Sequence, residues 1–323
     1  MNTMSSYQDF MKIVEKWYAS ATVKNSQRHY VPLDAKNEYV YPTSKVIIST
    51  HPLLEAKGDE VVKYAIAQMA YNYMYGIGLL ETRFVIDCGL NIANNLITGF
   101  SEADKLAALR IVIDEGYHAH VALDYILQMK EITGIEPLMV PDTNGNLIAV
   151  NKAFEILPKE IHYDFQLIAV TLAEHTLTKD MISIGRDKEM SKTFSSVLTD
   201  HVSDEGVHAH YFARLMKEHW ARLNDHTKDI ISEMLPDYLD DYLAYDYHRE
   251  FERNVLKNCG LNEIEIEKVI NDTNPIFFSK SEDYFVTTKN NLISLLKRSG
   301  FFDHENLKKS FEKADARKSL NIN

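Results

Sequence analysis

Cysteine, proline and glycine are all scarce in this chain, at 2, 8 and 12 of 323 residues. Two lone cysteines, Cys88 and Cys259, make no disulfide framework, and a reducing cytoplasm is the compartment this predicts. Few glycines and prolines, seldom clustered, argue against an all-β fold or a Gly-rich nucleotide-binding fold. No apolar run reaches the roughly 18 residues that suggest a membrane span. The segment Met1 to Lys12 has no basic stretch followed by an apolar one, so no signal peptide is expected. Positive charge is short as well. The formal net charge is −12, and no basic stripe is present, which speaks against nucleic acid or an anionic membrane surface as partner.

What is there is ordinary globular material, 45% apolar and 25% charged, with helical periodicity almost throughout. Gly58 to Asn95 reads as one long helix. Ser101 is a good N-cap for a second, running to about Ile132, because its hydroxyl can accept a free backbone N–H while Glu102 and Asp104 follow in the first turn. Gly134 ends that helix. Pro141 to Asn146 has strong turn chemistry and reads as a loop. A third helix is predicted from about Lys159 to Gly185 and a fourth from about Glu189 to Leu223. The first 57 or so residues read as mixed, with Pro32, Pro42 and Pro52 marking irregular chain. Shorter helices follow Asn224 and carry Tyr238, Tyr242, Tyr245 and Tyr247. No linker or low-complexity tract divides the chain. One domain over residues 1–323 is therefore expected, with a four-helix core over about 58–223, an N-terminal extension 1–57 and C-terminal helices 224–323.

The informative feature is an internal repeat. Asp114-Glu-Gly-Tyr-His-Ala-His120 recurs as Asp204-Glu-Gly-Val-His-Ala-His210, identical at six of seven positions and offset by 90 residues. On a helix, residues i and i+3 share a face, with Cβ atoms about 5–6 Å apart. Glu115 with His118, and Glu205 with His208, can each offer a carboxylate oxygen and an imidazole nitrogen to a shared metal ion. Carboxylate-bridged dimetal bundles take such a Glu-x-x-His pair from each of two helices and one further Glu from each of the other two. Glu81 and Glu174 meet that demand, preceding Glu115 and Glu205 by 34 and 31 residues in apolar helical surroundings. Four carboxylates balance two ferrous ions, so the site would be neutral with neutral histidines and avoid most of the penalty for an uncompensated buried charge. Mixed imidazole and carboxylate ligands suit iron, with manganese as the competitor. Asp114 and Asp204, next to the ligand glutamates, are expected to accept the second N–H of a metal-bound histidine, that of the opposite half.

The two halves differ at one position. His201 stands four residues before Glu205, where the first half has Ile111. At 100° per residue, positions 201, 205 and 208 fall within about 60° of one another, which puts His201 on the ligand stripe. The set Glu81, Glu115, His118, Glu174, His201, Glu205 and His208 resembles, in order and spacing over residues 50 to 215, the AurF-like family of p-aminobenzoate N-oxygenases, whose diiron site carries this extra histidine. The resemblance implies an all-α, ferritin-like bundle similar to the ribonucleotide reductase small subunit. It also implies a diiron oxygenase that meets O2 to form a peroxo-diferric species and oxidises the nitrogen of a small amine to hydroxylamine, nitroso or nitro. An external electron donor, a reductase or ferredoxin, and a homodimer belong to the same expectation. Two other readings stand beside it: a diiron or manganese–iron oxidase acting on carbon, and an iron-storage or peroxide-detoxifying protein of the ferritin or rubrerythrin type. Chain length, His201 and the lack of a C-x-x-C module count against the last.

Other residues are less pointed. His120 and His210 lie about 140° from the ligand glutamates and His175 about 100° from Glu174, so none is expected to ligate. Gly76 and Gly78 sit in a helix where glycine costs about 1 kcal/mol against alanine; space beside the metals and close helix packing explain them equally. Tyr73 and Gly78 are candidate pocket residues. Arg83, Arg110, Arg186, Arg214, Arg249 and Arg253 are candidate partners for an acidic substrate, and spacing chooses none of them.

Overall fold

The computed structural model describes residues 7–34, 39–140, 145–185, 191–244 and 247–320. Among these all regular structure is helical, with no strand. The first helices are α1 (Tyr7–Ser20), α2 (Thr22–Asn25) and α3 (Pro52–Glu55). The core is built from α4 (Asp59–Leu80), which runs on through a π-helical turn (Glu81–Val85) into α5 (Ile86–Ala93), and from α6 (Glu102–Thr133), α8 (His162–Gly185) and α9 (Lys192–Arg222). The short α7 (Gly145–Ile156) lies between α6 and α8, and α10 (Asp225–Tyr242), α11 (Tyr247–Asn258), α12 (Glu263–Arg298) and α13 (Glu305–Leu320) follow.

The helix ends obey local chemistry. Ser101 and Asp104 form a reciprocal capping box at the start of α6, and Gly134, at φ 69°, closes that helix in the left-handed region that glycine enters without penalty. Ser191 caps α9 by accepting from the Phe194 N–H.

Each core helix carries apolar residues at both ends and a polar stretch in the middle. One buried cluster takes Ile66 and Met74 from α4, Tyr125 and Met129 from α6, Met181 from α8 and Phe194 and Leu198 from α9. A second takes Phe84 and Ile92, then Ala108 and Ile111, then Phe165 and Leu172, and finally Phe212 and Trp220. Order along the chain gives the directions: α4 and α9 run from the first cluster to the second, α6 and α8 the reverse. The link from α6 to α8 is thus the one long crossover that ferritin-like bundles require.

Two expectations need correction. Gly145 and Asn146, read as loop, open α7, because Leu147, Ala149, Val150 and Ala153 recur at helical spacing and are buried; Pro141 to Asn144 lie outside the described residues. The N-terminal stretch, read as mixed, holds the 14-residue helix α1. The C-terminal helices are not all short: α12 has 36 residues and runs through Pro275, a residue that ordinarily removes a ladder bond and ends a helix. Tyr238 and Tyr242 are buried packing residues, while Tyr245 falls outside the described residues.

Candidate metal centre

The polar middle of the four core helices is one cluster. Glu81 comes from the π turn, Glu115 and His118 from α6, Glu174 from α8, and His201, Glu205 and His208 from α9, and none is more than 5% exposed. Their donor atoms converge in two groups, each within 4.8 Å: Glu81, Glu115, His118 and His201 in one, and Glu115, Glu174, Glu205 and His208 in the other. The carboxylates of Glu115 and Glu205 lie between the groups. Glu115 Oε2 is 3.3 Å from His118 Nδ1 and its Oε1 is 2.9 Å from His208 Nδ1. Glu205 Oε1 faces His201 Nε2 at 2.9 Å, His118 Nδ1 at 3.4 Å and His208 Nδ1 at 3.6 Å. His201 Nε2 also lies 3.0 Å from Glu81 Oε1, and its ring stacks on His118 with centroids 4.0 Å apart. His201 thus sits with His118 in the first group, and the second group has His208 as its single histidine.

The outer nitrogens of two rings reach across the repeat. His118 Nε2 is 3.1 Å from Asp204 Oδ2 and His208 Nε2 is 3.3 Å from Asp114 Oδ2. The inner atoms are left differently. Both oxygens of Glu81 and of Glu205, Glu115 Oε1, His201 Nε2 and His208 Nδ1 are buried and find no aligned hydrogen-bond partner among the described residues. Buried polar atoms are nearly always bonded, so lone pairs that converge without donors fit cations.

Without metal the same cluster holds protons. Burial pushes the Glu81 carboxyl up to about 7, against the pull of His201. Burial, with the Glu205 and Glu115 carboxylates nearby, raises Glu174 well above its usual range. Burial opposes the charged form of His118, but the Asp204, Glu115 and Glu205 carboxylates around it outweigh that and raise its pKa well above the ordinary value. His208 is raised in the same way, by Glu115 and Asp114 against burial. Glu205 goes the other way: burial is overcome by the three imidazoles, which hold it well below the carboxylate range.

The π turn marks where α4 meets this cluster. The Ile86 N–H bonds to the Glu81 carbonyl five residues back, and the Thr82 hydroxyl bonds to the Gly78 carbonyl. Such one-turn widenings recur at functional sites; no local sequence signal marks this one. A cavity of about 790 Å³ adjoins the turn and is walled by Tyr73, Gly76, Leu80, Thr176, Tyr242 and Phe277 among others. Thr176 lies two residues past Glu174, and its hydroxyl accepts from Tyr242 Oη at 2.9 Å. A Cβ added at Gly76 or Gly78 would meet nothing within 4 Å, so close packing does not explain either glycine. Tyr73 and Gly76 line the cavity; Gly78 does not.

The remaining residues fall elsewhere. His120 and His210 are exposed, and His175 is half-buried outside both groups. No arginine lines the cavity among the described residues. Arg83 is exposed, Arg110 is buried, Arg214 pairs with Asp104 and Glu218, and Arg253 pairs with Glu267. Arg249 is buried against Glu252 and lies 3.8 Å over the Phe277 ring, behind the cavity wall. Arg186 lies outside the described residues. Two contacts escaped the sequence reading altogether: Trp17 touches Asp114 and Thr22 touches Asp204.

Compared with known families, residues 36–259 match the one described as P-aminobenzoate N-oxygenase AurF. No curated protein matches the chain. No described helix is long and apolar enough to cross a membrane.

Proposed function

The chain belongs to the AurF family of p-aminobenzoate N-oxygenases, and from that premise we propose that its buried cluster holds two iron ions and that the protein oxidises the nitrogen of a small amine with O2. One observation carries the reading: seven buried carboxylate and imidazole side chains from four helices meet in two four-ligand groups that share Glu115. Glu81, His118 and His201 would hold one ion and Glu174 and His208 the other, with the Glu115 and Glu205 carboxylates within reach of both groups. The charge sum favours this, four carboxylates against two ferrous ions, and manganese is the alternative metal. Bound there, the metal pair would supply the electrons that reduce oxygen.

The protein's own groups do the rest. Asp114 and Asp204 fix the ring orientation of His208 and His118 through their outer N–H groups. The cavity that reaches Leu80 and Thr176, near Glu81 and Glu174 in sequence, would seat the amine, with Tyr73 and Phe277 in its wall. Hydroxylamine, nitroso and nitro are the products to look for. A reductase or ferredoxin would return electrons, and we place the reaction in the cytoplasm, carried out by a homodimer in which each chain, 1–323, is one domain. A cavity of about 790 Å³ favours a substrate-taking enzyme over iron storage.

The test is direct. Protein loaded anaerobically with ferrous iron, mixed with O2 and then given p-aminobenzoate or an aliphatic amine, should take up two irons per chain and yield N-oxidised product. Uptake of a single zinc, or of no iron, would remove the metal assignment. Iron uptake with oxidation only at carbon would leave the metal site and reject the N-oxygenase.

A further inference from the structure

The N-terminal helices lie outside residues 36–259, where the family match runs, yet they touch the metal centre's outer carboxylates. Trp17, in α1, donates its indole N–H to both oxygens of Asp114, at 3.0 and 2.9 Å. Thr22, which opens α2, donates its hydroxyl to Asp204 Oδ2 at 2.5 Å and its backbone N–H to the same oxygen at 3.2 Å. These are the carboxylates that face His208 Nε2 and His118 Nε2. Two residues five apart in sequence therefore serve both halves of the repeat, with Ala21 buried between the two helices. Thr22 is itself 5% exposed, so its bonds compete little with water.

A carboxylate has several lone-pair directions and can rotate about its own axis. A second donor on the same carboxylate removes that freedom: Thr22 bonds the Asp204 oxygen that faces His118, and Trp17 meets both Asp114 oxygens, one of which faces His208. We propose that Trp17 and Thr22 are positioning residues of the metal centre: Trp17 holds Asp114 and so orients His208, Thr22 holds Asp204 and so orients His118. The inference rests on the two-iron reading above and assigns the α1–α2 segment a share in each iron site. The two donors act on different ions. Loss of the Trp17 N–H disturbs the iron bound by His208, and loss of the Thr22 hydroxyl disturbs the iron bound by His118 and His201.

The experiment compares wild type with Trp17→Phe, which keeps an aromatic ring and removes the N–H, and Thr22→Val, which keeps the branched shape and removes the hydroxyl. Thr22→Ser restores the hydroxyl. Each protein is loaded with two equivalents of iron-57 and read by Mössbauer spectroscopy and by the rate of iron release to a ferrous chelator. Removing a partner outside the ligands costs roughly 10–100-fold in metal affinity when it touches the histidine, so one bond further out roughly a three- to tenfold faster release is expected. Trp17→Phe should shift the quadrupole signal of one iron and Thr22→Val that of the other, and Thr22→Ser should return both readouts to wild type. Release rates and spectra unchanged in both variants, with two irons bound, would overturn this inference and leave the proposed function standing. Both variants shifting the same iron, or Thr22→Ser behaving as Thr22→Val, would also overturn it. A wild-type chain that takes up no iron would overturn the function and this inference together. Circular dichroism and thermal melting of each variant separate a folding defect from a local one; a variant that fails to fold is replaced by Trp17→Leu or Thr22→Ala, which also lack the donor and are read in the same way.

Discussion

His118 Nε2 lies 3.1 Å from Asp204 Oδ2, a carboxylate 86 residues further along the chain and in the other half of the repeat. The reciprocal pair is His208 with Asp114, 94 residues apart in the opposite sense. Each half therefore orients the other's imidazole. Replacing Asp204 or Asp114 with alanine should weaken ferrous binding by roughly 10–100-fold each. Titration against a competing chelator reads this; a change below about twofold in both would mean the aspartates are ordinary helix carboxylates.

His201 and Glu205 should respond differently to removal. Glu205 Oε1 faces all three histidines, so Glu205→Ala should lose most bound metal. His201 has no equivalent in the first half, where Ile111 stands, and six ligands suffice to hold two metals in such bundles. His201→Ala should keep iron, yet lose amine oxidation sharply and show a shorter-lived optical transient after mixing with O2. Stopped-flow absorption followed by product analysis decides this, and wild-type behaviour in His201→Ala would make that histidine a bystander.

The metal-free protein should become less stable as pH rises from 6 to 8. Glu81 titrates at about 7 when folded, against an ordinary 4.5, because of burial. His118 and His208 are raised well above 6.5 by their carboxylate partners. All three bind protons more tightly folded than unfolded, so the stability they contribute is complete below the unfolded values and is lost as pH climbs through the folded ones. Glu205, held low, acts in the opposite sense, but only in acid, below its ordinary 4.5. Metal displaces these protons. Calorimetry at pH 6, 7 and 8 should show a metal-free Tm that falls and a gap to the iron-loaded Tm that widens; a gap that narrows would count against a proton-for-metal exchange.

Gly76 allows stability and activity to be separated. Nothing lies within 4 Å of a Cβ built there, so Gly76→Ala should stabilise α4 by about 0.5–1 kcal/mol through lost backbone entropy in the unfolded chain. Gly76→Phe would instead project into the cavity and should depress turnover of an arylamine far more than of a small aliphatic amine. Equal effects on both substrates would place substrate binding elsewhere.

How much of this was legible beforehand depends on range. The stripe Glu115, His118, His201, Glu205 and His208 follows from helical geometry within one turn or two, and Ser101 and Gly134 announce their helix ends by capping chemistry alone. Glu81 and Glu174 could be found because a bundle demands one carboxylate from each remaining helix. The π turn could not, since a single inserted residue costs little and Thr82 or Val85 would sit as well in an α-helix. Trp17 and Thr22 reach carboxylates 97 and 182 residues away, and no local pattern encodes a contact of that separation. The cavity is assembled from α4, α8, α10, α11 and α12 together, so only the packed molecule reveals it. Asn144-Gly-Asn146 carried a turn signal that outweighed the apolar spacing of α7.

The placement of the seven ligand-type side chains between the two apolar clusters has a mechanical consequence. Every core helix leaves one greasy compartment, crosses a belt of carboxylates and imidazoles, and enters another. Hydrophobic burial consolidates each compartment separately, and it contributes little across a belt of ionisable groups. Metal–ligand bonds would then be the rivets of the belt, tying four helices at mid-length. Emptied of metal, the molecule would melt as two loosely coupled ends, with amide exchange fastest around Glu81, Glu174 and Glu205; filled, it would melt as one. The reactive centre would in that case also set the size of the cooperative unit.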